Sequence, residues 1–120
     1  MAAHNDFGKE AEQDAVDYLI GQGHIVRERN YTYSHAEIDI ISQKNNTLHI
    51  VEVKARNSTH YGEPASFVSK QKMQLLAKAA NHYIIKNDLD VEVQFDIIAI
   101  VKNQYEFTLE HIEDAFYPFG

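Results

Sequence analysis

The chain has 120 residues, 44% of them hydrophobic, and a formal net charge of -7, the size and apolar content of one ordinary domain, so residues 1–120 are read as a single unit with its own core. The absence of cysteine excludes a disulfide framework, a thiolate metal site and a cysteine nucleophile. There is no run apolar enough to span a bilayer, and Met1-Ala2-Ala3-His4-Asn5 lacks the basic and apolar regions of a leader, so a cytoplasmic chain without a membrane partner is expected.

In chain order, Phe7, Ala11, Ala15, Tyr18 and Leu19 recur at helical spacing, which predicts a helix from Asp6 to Gln22, capped by Asn5 or Asp6 and ended by Gly21 and Gly23. Glu12 falls on or beside the apolar stripe of that helix and reads either as a flanking carboxylate that reaches water or as one aimed inward. Residues Ile25 to Tyr33 predict a first strand, on which Arg27, Arg29, Tyr31 and Tyr33 share a parity. That strip suits phosphate and unpaired bases, or else consists of solvated arginines and core tyrosines.

Two strands follow in Glu37 to Arg56, joined by the polar pentapeptide Ser42-Gln43-Lys44-Asn45-Asn46, which predicts an antiparallel hairpin. In the first, Glu37, Asp39 and Ile41 take one face while Ile38 and Ile40 take the other. In the second, Leu48, Ile50, Glu52, Lys54 and Arg56 share a face that begins apolar and ends charged. Asn57 to Pro64 is polar, holds Gly62 and Pro64, and reads as a loop. A long helix from Ser66 or Ser69 to about Lys86 would bury Val68, Leu75, Leu76, Ala79, Ala80, Tyr83 and Ile84. Lys72 lies in that stripe and needs a carboxylate or a route to solvent. After a turn at Asn87 to Asp90, Val91 to Val101 predicts a strand with Phe95 and Ile97 opposite Asp96, Ile98 and Ile100. Asp96 is read as a structural acid paired to a basic neighbour in preference to a ligand. Tyr105 to Leu109 predicts an edge strand, and His111 to Phe116 a final helical turn.

The hairpin sets Asp39 beside Glu52. Two carboxylates crowded on a sheet repel each other and lose hydration unless a cation or hydrogen bonds compensate them. A hard divalent ion does so well, since Mg2+ takes one or two carboxylates with waters and phosphate oxygens. Charge is also segregated along the chain. Residues 1–52 hold 4 basic and 9 acidic side chains, residues 53–87 hold 6 and 1, and residues 88–120 hold 1 and 8. An acidic chain is a poor nucleic-acid binder as a whole, but its basic segment is the one that follows Glu52. The seven histidines show no ligand spacing, so zinc is not expected and most of them should lie at the surface. Neither a G-x-S-x-G elbow nor a G-x-x-x-x-G-K-[ST] loop is present.

An Asp ending one strand and Glu52-Val53-Lys54 on the next resemble the PD-(D/E)xK nuclease superfamily. Further matches are Gly8, Glu12, Ala15, Tyr18, Leu19, Gly23, Asn30, Glu37-Ile38-Asp39, Val51 to Lys54, Arg56, Gly62, Pro64, Lys72 and Phe95-Asp96. Together they resemble the bacterial YraN family, which is similar to archaeal Holliday-junction resolvases. Ala11 and Ala36 stand where that family usually has Gly, Gln94 where it usually has Arg, and Ile38 where the superfamily has Pro.

The resemblance implies an α/β, restriction-endonuclease-like mixed sheet flanked by helices, in the order α-β-β-β-α-β-β. It also implies a homodimer and DNA, branched DNA included, as partner. The expected activity is a Mg2+- or Mn2+-dependent DNA endonuclease. Asp39 and Glu52, with the Val53 carbonyl, would bind the metal; Lys54 and Glu12 would serve catalysis; Arg56, Lys70 and Lys72 would hold nucleic acid. The alternative is a nucleic-acid-binding or protein-interaction module that keeps the fold without turnover.

Overall fold

The computed structural model describes residues 3–58 and 68–118, with side chains from residue 6 onward. Gly62, Pro64, the possible helix start at Ser66 and a cap by the Asn5 side chain therefore lie outside the described residues. The elements are α1 (Ala3–Gly21), β1 (Ile25–Tyr33), β2 (Ala36–Lys44), β3 (Thr47–Arg56), α2 (Lys70–Lys86), β4 (Glu92–Lys102) and β5 (Phe107–Phe116). This is the expected α-β-β-β-α-β-β order. The five strands form one mixed sheet in chain order, β1-β2-β3-β4-β5, with only the β3–β4 pairing parallel. A parallel pair needs a long crossover, and α2 lies within it.

The helix stripes explain the layers. Ala11, Ala15, Val16 and Leu19 of α1 pack on Ile40, Val51, Ile98 and Ile100. Leu76, Ala79, Ala80 and Tyr83 of α2 pack with Ile41, Leu48, Ile50, Phe95 and Ile97. The alternation predicted for β4 thus divides its side chains between the two helices. Gly23, at φ 92, allows the His24 N–H to return to the Leu19 carbonyl at 2.9 Å and close the end of α1. Ser69 caps α2, its hydroxyl accepting from the Lys72 N–H at 3.1 Å.

Several expectations are corrected. Helix α1 begins at Ala3, so Asp6 lies within its first turn. The β2–β3 loop is shorter than the predicted pentapeptide, because pairing reaches Lys44 opposite Thr47 and Asn45 takes φ 55. Ser42 is consequently a buried strand residue. His111 to Phe116 is not a helical turn but the second half of β5. Its Ile112, Ala115 and Phe116 all meet the α2-side core because the register slips opposite Phe95 and Ile97, and this bulge mimics helical spacing.

The strip expected along β1 is also divided. A register shift lies between Val26 and Glu28, and Asn30 takes φ 53. As a result Arg27 donates to the Tyr83 hydroxyl on α2, Arg29 turns to Glu12 on α1, and Tyr31 and Tyr33 pack against the α2-side core. The partner strand breaks its alternation at the same level: Ile38 joins the α2-side cluster and Ile40 the α1-side cluster. They do not share a face as predicted. Asp39 stands between them.

Candidate metal-binding carboxylate site

The site lies where β2 and β3 separate. Their pairing begins at Lys44 with Thr47 and stops at Ile40 with Val51, while β3 continues beside β4 to Arg56 opposite Val101. Beyond Val51, β3 therefore lacks β2 as a ladder partner. Asp39 fills the fork, its Oδ2 accepting from the Val53 N–H at 2.8 Å. Within a strand residue, N–H and C=O project toward the same edge, so the Val53 carbonyl also faces the fork. Ala36 is absent from the positive-φ positions, and Ser34 carries that conformation instead at φ 59; alanine before Glu37 is therefore unstrained.

Glu52 is 3% exposed. Its Oε2 meets the Lys72 ammonium at 2.6 Å, so the lysine predicted to need a carboxylate has one. Its Oε1 is buried with no hydrogen-bond partner among the described residues. Burial first, and then the charge of Glu52, push the Asp39 carboxyl up to about 7, against the Val53 N–H and Lys72, which favour its ionised form. Once protonated, Asp39 can donate a hydrogen bond to Glu52, which further favours the acid form. Carboxylates alone offer only acceptors. The pair is satisfied when it shares a proton or when a cation bridges it.

Lys54 follows Glu52 on the same face of β3. Its amine is lowered from the usual lysine range by burial and by Lys72 and Arg56, while Glu52 and Asp39 oppose the shift. The Arg56 guanidinium donates to the Ala55 carbonyl at 2.9 Å, and Lys70 is exposed at the first position of α2.

On the α1 side, Glu12 Oε1 accepts from Arg29 and from the Asn30 amide, each at 3.0 Å. The left-handed backbone at Asn30 is thus tied to the placement of Glu12. A cleft of about 520 Å³ is lined by Phe7, Gly8, Glu12, Asp39, Val53 and Arg56. A second, of about 400 Å³, is lined by Glu37, Asp39, Ser69, Gln71 and Lys72. Asp39 is common to both. The structure therefore brings Asp39, Glu52, Val53, Lys54 and Lys72 to one fork, sets Glu12 and Arg56 in the adjoining cleft, and leaves Lys70 on the flank.

A second group was not visible in the sequence. His49 Nδ1 and His111 Nε2 lie 2.7 and 2.8 Å from the same Oδ2 of Asp96. Ligand atoms of His49, Asp96, His111 and Glu113 all lie within 4.8 Å of one another, a set able to hold a metal ion. His24 and His49 are buried, and the His111 side chain is 7% exposed, contrary to the expectation of surface histidines. Asp96 is a fully buried acid paired to basic neighbours, as the sequence suggested. The missed signal was topological: the parallel register sets Asp96 beside Val51, and His111 lies opposite Ile98.

No helix among the described residues is long and apolar enough to cross a membrane. The sequence profile of the uncharacterised protein family UPF0102 matches residues 11–100. A UPF0102 protein of Flavobacterium psychrophilum is 55% identical, the match covering 99% of this chain and 100% of the relative. A UPF0102 protein of Christiangramia forsetii is 49% identical over 99% and 100%, and one of Phocaeicola vulgatus is 42% identical over 98% of each. On this evidence the chain belongs to the uncharacterised protein family UPF0102, the YraN family that its motifs resemble.

Proposed function

We propose that the chain is a Mg2+- or Mn2+-dependent DNA endonuclease, and that branched DNA, the substrate form suggested by its likeness to junction resolvases, is among its substrates. The observation that carries this reading is the buried, unpartnered Oε1 of Glu52 beside an Asp39 whose ionisation burial and Glu52 oppose. Such a site lacks one positive charge. Oxygen donors alone suit Mg2+ or Mn2+ over softer ions. Asp39, Glu52 and the Val53 carbonyl would hold the ion, which when bound supplies positive charge that polarises a phosphoryl oxygen and acidifies water.

The remaining roles fall to the chain's own side chains. Lys54, with its lowered amine pKa, orients the attacking water and stabilises charge that develops on the phosphate. Glu12, held by Arg29 and Asn30, accepts a proton or a hydrogen bond from water in the cleft. Lys72 exchanges its bond to Glu52 for the scissile phosphate, and Arg56 and Lys70 hold flanking phosphates. We further propose a single cytoplasmic domain that acts as a homodimer.

A second reading has support of its own. The Lys72 bond to Glu52 already neutralises half of the carboxylate pair, which suits a module that binds DNA without cutting it. End-labelled linear, flapped and four-way DNA incubated with wild type, Asp39→Ala and Glu52→Ala in Mg2+, Mn2+ or EDTA separates the two. Metal-dependent cutting that both variants lose is the expected result. DNA binding without cutting by folded wild type in either metal would favour the second.

A further inference from the structure

We infer that His49, Asp96, His111 and Glu113 form a second metal site, of zinc-type chemistry, that clamps β3, β4 and β5 together on the α1 side of the sheet. The ligand set differs in kind from the carboxylate fork. Two imidazoles with carboxylates suit Zn2+ and its first-row neighbours, whereas oxygen-only sets suit Mg2+. The four donor atoms lie within 4.8 Å of one another, against about 3.3 Å between ligands of a tetrahedral Zn2+ at its usual bond lengths. Small side-chain movements close that difference.

Three independent features converge here. The backbone of β5 is distorted toward the cluster: its register slips opposite Asp96, Asp114 takes φ 54, and the Asp114 N–H donates to Asp96 Oδ1 at 3.0 Å. A bulge re-aims the side chains around it, and this one carries Glu113. The donors come from three different strands, His49 from β3, Asp96 from β4, and His111 and Glu113 from β5, so one ion would cross-link them. Finally, an outer partner is in place for one imidazole. The Tyr18 hydroxyl lies 3.3 Å from His111 Nδ1, and a proton on that nitrogen frees the Nε2 lone pair for a metal.

Without an ion, Asp96 Oδ2 takes both imidazole N–H groups. With one, each histidine carries its proton on the other ring nitrogen, and the ion replaces the two N–H groups as partner of the carboxylate. Glu113 is exposed and closes the site from the solvent side, where the Gln94 amide donates to it at 3.2 Å.

The test is equilibrium dialysis of the full chain against Zn2+ and Co2+ in a large excess of Mg2+, with metal content, the visible Co2+ spectrum and thermal melting as readouts. Wild type and Asp39→Asn/Glu52→Gln should each retain one equivalent, give a tetrahedral-type Co2+ spectrum and melt higher with Zn2+. Glu113→Gln, at an exposed position and with an oxygen kept for the Gln94 amide, should weaken binding at least about tenfold and abolish the Zn2+ shift in melting. His111→Gln should do the same. The inference fails if folded wild type retains no stoichiometric Zn2+ or Co2+. It fails equally if the Co2+ spectrum is unchanged by Glu113→Gln but lost on Asp39→Asn/Glu52→Gln.

Discussion

Asp39→Asn offers the sharpest test of the carboxylate fork, because it should weaken function and strengthen the fold together. Asp39 is raised from an ordinary 3.8 to about 7. Between those values the unfolded chain has released this proton and the folded chain keeps it, so metal-free stability falls as pH rises from about 4 to 7 and is level above. About three pKa units correspond to a ceiling on the order of 4 kcal/mol. Asparagine keeps an oxygen for the Val53 N–H and offers its Nδ2 to the unpartnered Glu52 Oε1.

We expect the variant in EDTA to exceed wild type by about 1–3 kcal/mol at pH 8, and by little near pH 4. With an unfolding entropy of about 2.1 cal/mol/K per residue, 1 kcal/mol is about 4 °C for this length, so Tm should rise by about 4–12 °C. Melting curves from pH 4 to 9 in EDTA, followed by DNA cleavage in Mg2+, make the assay. Equal or lower stability at pH 8, or a gain that does not change with pH, would refute the account of the fork.

Lys72→Met leaves Glu52 buried and unpaired, and should cost about 1–3 kcal/mol in denaturant titrations at neutral pH; adding Glu52→Gln should restore most of it. A Cβ at Gly8 would meet nothing within 4 Å. Gly8→Ala should therefore add about 0.5–1 kcal/mol to the stability of α1, while slowing cleavage if a phosphate backbone enters the cleft that Gly8 lines. Asp96→Asn turns a donor toward one of the four donors that now bond Asp96, and should cost about 3 kcal/mol by chemical denaturation in EDTA. Ser69→Ala removes the α2 cap and should cost about 1 kcal/mol.

What the sequence disclosed follows from the range of each interaction. The fork was legible because Asp39 and Glu52 belong to one hairpin, where a short turn dictates which residues meet. Lys72 was legible because a cation within an apolar stripe must have an acid nearby. The parity errors along β1 and β2 arose at the register shift between Val26 and Glu28, at Asn30 and at Asp39, where a bulge, a left-handed residue and a change of face break a period of two. The histidine cluster escaped because His49 and Asp96 are 47 positions apart. They meet only through the parallel register that the crossover creates, and no local spacing encodes it. The second half of β5 was misread for a related reason: a bulge places Ile112, Ala115 and Phe116 on one side, as a helix would.

Because the sheet runs in chain order, segregation of charge along the chain sets a basic band between two acidic ones. Residues 53–87, net +5, supply the second half of β3 and α2, whereas residues 1–52, net -5, supply α1, β1, β2 and the first half of β3, and residues 88–120, net -7, supply β4 and β5. In the field of a polyanion such a molecule would be attracted at its basic band and repelled at its acidic flanks. It would be turned before contact, with the fork and α2 leading and the acidic segments on either side trailing. Capture would then be oriented by a long-range torque that added salt removes within a Debye length, so ionic strength should govern how often an encounter is productive more than how firmly the bound state holds.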